Sequence, residues 1–194
     1  MPGLVTPAIP AGTLTRQPQP HLTGDHLHLR PWRTTDRPAV VAAYTDPAIQ
    51  RWHCRTMTDT EAHTWITHWP HRWQQETGAG WAVTDPTGDT VLGQISLRRL
   101  HLPDAQAEIS YWVLPAARGH HVAARALTTL TRWAFDTLGL HRIELSHSTA
   151  NPASCRVAHR GGYPAEGIRR GEGRHADGWH DMHLHARLRT DRPD

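Results

Sequence analysis

The segment AEISYWVLPAARGHHVAARAL, residues 107–127, decides the fold because its hydrophobic period changes halfway along it. In the first half side chains alternate with period two, which is a strand with two unlike faces. Glu108, Ser110 and Trp112 share one face, and Ile109, Tyr111 and Val113 share the other. From Val122 the period lengthens: Val122, Ala126, Leu127, Leu130, Trp133, Ala134 and Leu138 lie on one helical face, and Gly139 supplies the stop. Between strand and helix, PAARGHH has the proline and glycine of a tight turn. The first N–H groups of a helix lack intrahelical acceptors and sit at the positive end of its dipole. With Arg118 beside them they suit a pyrophosphate. A metal site at the adjacent histidines, or a plain helix start, are the other readings of this loop.

Working outward, LHLRPW from Leu27 alternates as a first strand, and residues 35–44 read as a short helix stopping at Asp46-Pro47. Residues 47–58, with Trp52 and His53, are expected as an irregular connection able to line a pocket. Thr58 and Glu61 have capping-box spacing ahead of a stripe formed by Ala62, Trp65, Ile66, Trp69 and Trp73, a helix expected to bend at Pro70. GWAVTD, TVLGQISLRRL and AQAEISYWVL make three meander strands joined by turns at DPTGD and Pro103-Asp104. After the helix over residues 122–138 come the strand RIELSHST and a short helix opened by Asn151-Pro152, an N-cap residue with proline at N1, which ends at Gly161-Gly162. Strands near residues 163–170 and 179–189 close the chain. The order βααβββαβαββ is a mixed α/β sandwich: a central sheet of about seven strands flanked by about four helices.

At 194 residues with nine tryptophans, the chain is long enough for one well-filled domain. A mean hydropathy of −0.60 and the lack of a long apolar run argue against a membrane span. Residues 1–22, with five prolines and no apolar core segment, read as a disordered tail rather than a signal peptide, with residues 23–190 as the domain and 191–194 as a C-terminal tail. Cys54 and Cys155 show no partner spacing, which suggests neither a disulfide framework nor a thiolate metal site and favours the cytoplasm. The formal charge of +3 is mild and scattered, so a dedicated nucleic-acid binder is not expected and an anionic ligand remains open. All 21 basic residues are arginine. Codon bias explains this, as does an amine-modifying enzyme that spares its own side chains.

Two motifs resemble the GNAT superfamily of N-acyltransferases. Arg118, Gly119, His120, His121, Val122 and Ala123 fill its [RQ]-x-x-G-x-[GA] pyrophosphate loop, with His121 where the pattern prefers glycine; an ordinary helical conformation there would tolerate the side chain. NPASCRVAHRGGYPAEGIRR, residues 151–170, resembles the N-x-x-S-x-R-V-A-x-x-x-G-[FY]-x-x-E-G segment of the RimJ/RimL-type branch, which includes ribosomal-protein N-terminal acetyltransferases. Asn151, Ser154, Arg156, Val157, Ala158, Gly162, Tyr163, Glu166 and Gly167 all match. The resemblance runs over about residues 24–189 and implies an acyl-CoA donor, acetyl-CoA first. It implies strands AEISYWVL and RIELSHST splayed at their C-terminal ends, with backbone of Trp112, Val113 and Leu114 bonding the pantetheine arm, the diphosphate over residues 118–123, and Asn151, Ser154 and Arg156 nearby.

Acyl transfer to an amine needs a neutral nucleophile, a polarised thioester and a proton for the departing thiolate. Glu108 is the odd residue of a half-buried strand, and in the branch it resembles such a glutamate is associated with water-mediated deprotonation of the amine. A solvated or salt-bridged strand position is the competing reading. Ser154 stands at N3 of its helix, where the dipole would favour a thiolate; the matching serine of the family is proposed as proton donor, although N3 serine is also ordinary helix-start chemistry. Trp52, His53, Trp65, Trp69, Ser110 and His147 are the candidates for contacting the acceptor. Seventeen histidines include His26 with His28 and His183 with His185 on single strand faces, yet none falls in a metal-binding framework, so no metal is expected.

The expected activity is direct transfer of an acetyl group from acetyl-CoA to a primary amine in a ternary complex. The acceptor is a peptide or protein α-amine, whose pKa near 8 needs only a modest base, or a small-molecule amine. An antibiotic-like amine with a donor such as succinyl-CoA is the alternative, and a non-catalytic acyl-CoA-binding module is the rival of another class. A second copy of the chain is a further admissible partner; nucleic acid and membrane are not.

Overall fold

A computed structural model describes residues 4–191. Its centre is an eight-stranded sheet in the order β1-β2-β3-β4-β5-β6-β8-β7. The strands are β1 (Leu22–Gly24), β2 (Leu27–Pro31), β3 (Ala79–Thr84), β4 (Val91–His101), β5 (Gln106–Val113), β6 (Arg142–Ser148), β7 (Ala165–His175) and β8 (Gly178–Leu188). Every neighbouring pair is antiparallel except β5–β6, which is parallel. Five α-helices cover the sheet: α1 (Arg37–Thr45), α2 (Pro47–His53), α3 (Asp59–Gln74), α4 (Val122–Trp133) and α5 (Pro152–Arg160). Strand β1 and helix α2 are additions to the expected order. No helix among the described residues is long and apolar enough to cross a membrane.

The two faces of β5 divide the core as its alternation requires. Ile109 joins Trp81, Ile95, Leu97, Leu127, Leu130 and Ile143 under α4, whereas Trp112 joins Trp32, Val40, Tyr44, Ile66 and Trp69 under α1 and α3. Each large apolar side chain so buried contributes about 1.5–3 kcal/mol, so these two layers hold the sheet rigid beneath the site. Helix α3 carries the predicted Thr58–Glu61 capping box and runs unbroken through Pro70. Helix α4 stops being α-helical at Trp133 and continues to Leu138 as one π-helical turn before Gly139 takes a left-handed conformation.

The expected disordered tail needs correction. Residues 1–3 and 192–194 lie outside the described residues, but Ile9 and Leu14 are buried in the larger core layer. Glu76 accepts hydrogen bonds from the Gly12 and Leu14 amides, both at 2.7 Å. Trp73 and Trp81 donate their indole N–H to the Gln17 and Pro20 carbonyls, and Gln19 donates to the Gly80 carbonyl. A segment too poor in apolar residues to fold alone is ordered here by the polar edges of tryptophans that the sheet already buries.

Candidate active site

Strands β5 and β6 pair over only three residues, Gln106, Ala107 and Glu108 with Arg142, Ile143 and Glu144. Beyond that point β6 stays with β8 up to Ser148 while β5 stays with β4 up to Val113. A wedge therefore opens between the two central strands, lined by Glu108, Ser110, Tyr111, His147, Asn151 and Ser154. A second hollow, lined by Tyr44, Trp65, Trp69, Arg72, Arg98 and Ser110, adjoins it at Trp52 and His53. With volumes of about 280 and 340 Å³, the two hollows together reach the size of a small-molecule site.

Helix α2 brings Trp52 and His53 to this junction, where an irregular connection was expected. Asp46 caps it by accepting from the Ile49 amide (3.0 Å), and Pro47 occupies its first turn. An Asp-Pro pair opens a helix by the same logic as Asn151-Pro152. His53 donates its Nε2–H to the Tyr111 carbonyl at 3.1 Å, an oxygen that the diverging β6 no longer reaches. Burial pulls the His53 pKa down to about 4, so the ring is neutral at physiological pH and satisfies strand backbone. Because the folded value lies below the unfolded one, this group costs stability as pH falls from about 6.5 toward 4.

The loop before α4 presents a run of free donors. Among the described residues, none of the amides of Gly119, His120, His121, Val122, Ala123 and Ala124 finds a protein acceptor. Gly119 and His121 are both left-handed, with φ of +85° and +56°, and this folds the run into a concave nest. The ordinary helical conformation expected at His121 is therefore corrected: the family pattern prefers glycine here because the backbone turns through a region that side chains disfavour. His121→Gly is accordingly expected to raise stability by about 1 kcal/mol, read as an increased thermal midpoint, without loss of coenzyme A binding. The gain is partly offset because His121 Nδ1 accepts from Arg160.

Arg118 is not a free charge at this nest. Its guanidinium binds Asp46, holding that carboxyl below the usual range and fastening the loop to the start of α2. Leu114 also departs from expectation, since its N–H donates to the Leu92 carbonyl (2.9 Å) across the sheet and is not free for a pantetheine. Alternation then turns the Trp112 backbone to β4 as well and leaves Tyr111 and Val113 facing the wedge. Arg156 is exposed on α5.

Glu108 and Ser154 face the wedge from opposite sides. Glu108 pairs with Arg99 at 2.8 Å, and Arg98 and Arg169 also line its surroundings. Its neighbour Glu144 is held by Arg142 (2.9 Å) and Arg169 (3.6 Å). Ser154 sits at N3 of α5, its amide bonded to the Asn151 cap at 3.1 Å. Beside it is a group that sequence reasoning passed over. Among the described residues the buried Tyr111 hydroxyl has no hydrogen-bond partner, and burial pushes its pKa up to about 12. Ser154 is close enough to counter part of that shift while remaining outside hydrogen-bond geometry. The signal for it was a phenol among the apolar residues of the core-facing side of β5.

All six expected acceptor residues line the two hollows. Trp65 and Trp69 meet edge to face at 5.5 Å, and Trp69 lies against Gly80, where a Cβ would stand 2.4 Å from its ring. His147 is turned toward β8, with its Nε2 3.2 Å from Nε2 of His185. Unforeseen were Arg55, Arg72 and Arg98, which line the acceptor side; among the described residues none has a carboxylate within ion-pair distance.

Comparison with known proteins agrees with this geometry. Residues 26–164 match the acetyltransferase (GNAT) domain family. The chain is 27% identical over 153 residues to an uncharacterized N-acetyltransferase, YoaA, of Bacillus subtilis, covering 78% of this chain and 86% of that protein. It is 30% identical over 100 residues to the ribosomal-protein-serine acetyltransferase of Escherichia coli, covering 52% and 56% respectively. The fold is similar to that of RimL, a ribosomal L7/L12 α-N-protein acetyltransferase solved with coenzyme A. That match has a TM-score of 0.78 at 18% identity over 87% of this chain and 98% of RimL.

Proposed function

Since the chain belongs to the GNAT acetyltransferase family, we propose that it moves an acetyl group from acetyl-CoA directly to a primary amine that carries a nearby negative charge. The observation that supports this best is the wedge itself, lined by the Glu108 carboxylate and the Ser154 hydroxyl, with the free amides of residues 119–124 in the loop that follows β5. Those amides receive the diphosphate, and the backbone of Tyr111 and Val113 receives the pantetheine. The amine nitrogen attacks the thioester carbonyl and gives its proton to Glu108, directly or through water. The C–S bond then breaks, the thiolate takes a proton from Ser154 at the positive end of α5, and the proton held by Glu108 passes through water to Ser154, which resets both groups. Tyr111, protonated throughout the neutral range, stands behind Ser154 as a second donor.

Three arginines without carboxylate partners favour an acceptor whose α-amine or side-chain amine lies beside a carboxylate or phosphate: an acidic peptide N-terminus or an anionic small molecule. The same charges favour, as a second reading, a donor such as succinyl-CoA whose distal carboxylate reaches them. Free-thiol release with a panel of amines, against acetyl-CoA and succinyl-CoA in turn, separates these. Anionic amines are expected to react faster than their neutral amide analogues with acetyl-CoA. Ser154→Ala is expected to lose on the order of 10²-fold in turnover with coenzyme A affinity unchanged. No thiol release with any amine and either donor would remove the proposal, and equal loss of affinity and turnover in Ser154→Ala would make that serine a structural cap.

A further inference from the structure

Four side chains from three elements converge at the β6–β8 edge of the wedge. His147 on β6 faces His183 in register on β8, His185 follows two residues along the same face, and Cys155 comes down from the first turns of α5. One ligand atom from each lies within 4.8 Å of all the others. We propose that His147, Cys155, His183 and His185 form a tetrahedral binding site for a divalent transition metal of the zinc type.

The hydrogen bonds around the two buried rings carry the argument. His147 donates Nδ1–H to the Ser148 carbonyl at 2.8 Å, and His185 donates Nδ1–H to the Tyr163 carbonyl at 3.0 Å. Those bonds fix both tautomers, because a carbonyl only accepts. In the neutral rings both Nε2 atoms are then bare lone pairs, and they face each other at 3.2 Å with the two rings 6% and 0% exposed. Two buried acceptors at that distance repel unless something positive lies between them. A proton would do so only by burying an imidazolium, and among the described residues no carboxylate pairs with either ring. A cation bound by both nitrogens removes the conflict: metal–nitrogen bonds of about 2.0–2.1 Å in a tetrahedral shell put two nitrogens roughly 3.3 Å apart.

The surroundings are those of a metal shell. Donation of the second ring N–H to a backbone carbonyl is how metal-bound histidines are oriented. Cys155 belongs to the helix turn where the dipole favours a thiolate. Cys155 and His183 are only partly buried, which gives an ion a route in. A soft thiolate with three imidazoles selects zinc, cobalt or copper over calcium or magnesium. The filled site would tie α5 to β6 and β8 one residue beyond Ser154.

Cobalt(II) titration of the chelator-stripped full chain tests this, because a thiolate-to-metal charge-transfer band with intense tetrahedral d–d bands cannot come from scattered surface histidines. One equivalent is expected to produce both, zinc(II) to displace them, and zinc(II) at a hundredfold excess over its Kd to raise Tm by about 5–10 °C. Cys155→Ser should abolish the charge-transfer band. His183→Ala, at a half-buried position where folding is readily checked by circular dichroism, should abolish the Tm shift. Cys54→Ser should keep both, since Cys54 lies outside the four-ligand group, with His175 at 3.4 Å and the Arg51 and Arg174 carbonyls nearby. Cobalt binding without the thiolate band, a band that survives Cys155→Ser, or a zinc-induced Tm shift that survives His183→Ala would each overturn the four-ligand site.

Discussion

Glu108→Gln should lower turnover by about 10²- to 10⁴-fold near neutral pH, the usual contribution of a positioned base, while folding and coenzyme A binding persist. The reasoning starts from its surroundings. The side chain is 21% exposed, and its one ion-pair partner among the described residues, Arg99, is 76% exposed. A pair this wet contributes about 0–1 kcal/mol, so the amide variant should melt almost where the parent does. What the substitution removes is the wedge-lining carboxylate on β5, which a single, mostly exposed guanidinium holds, whereas Glu144 is bound by both Arg142 and Arg169 and Glu172 by Arg169. The amine must lose a proton to attack, so raising the pH should restore part of the lost rate as more acceptor arrives neutral. Steady-state rates from pH 6 to 9 with saturating donor decide the matter. Near-parental turnover throughout would move the base elsewhere, with Glu144→Gln as the next variant.

How far the chain could be read from its letters depends on how local each signal is. The strand-to-helix change across Val113 and Val122 is carried by neighbours in sequence, and so is the Asn151-Pro152 helix start; both stand where the periodicity puts them. Asp46-Pro47 was ambiguous because the same pair can end one helix and begin another, and here it does both. Ile9 and Leu14 gave no period at all, since their burial depends on a groove made by Trp73, Trp81 and their own backbone acceptors. The left-handed turn at His121 was masked by a residue that ordinarily avoids it. At the site, Glu108, Ser154 and the tryptophans of α3 could be nominated by position on a strand or helix. Arg55, Arg72 and Arg98 could not, because each comes from a different element and only the fold makes them neighbours. The His147, Cys155, His183, His185 group was legible only in its His183–His185 pair, because His147 and Cys155 come from two other elements that the fold brings to it.

Asp36→Asn should destabilise the fold by about 3–5 kcal/mol, more than any surface substitution. Asp36 and Arg30 are 7% and 1% exposed. They meet in a two-pronged pair at 2.8 and 2.9 Å. The guanidinium gives its remaining Nε–H to the Gly88 carbonyl, and Asp36 also accepts from the Arg33 amide at 2.8 Å, so every charged atom is engaged. The amide keeps the volume and one acceptor but leaves the guanidinium buried without its counter-charge. The exposed Arg37–Asp59 pair, of nearly equal length at 2.9 Å, is the internal control, and Asp59→Asn should cost about 1 kcal/mol or less. Converting both buried partners to apolar residues, Arg30→Met with Asp36→Leu, should recover much of the loss, because it is the stranded charge that is expensive. The consequence reaches the site through α1, which starts at this pair and carries Tyr44, whose ring packs against His53 and Trp65. A loosened α1 therefore slackens the acceptor wall first, and the Michaelis constant for the amine should rise in Asp36→Asn before that for the donor does. Urea unfolding of the two single variants gives the decisive comparison: equal losses in Asp36→Asn and Asp59→Asn would mean that the Arg30–Asp36 pair does not anchor α1 to the sheet.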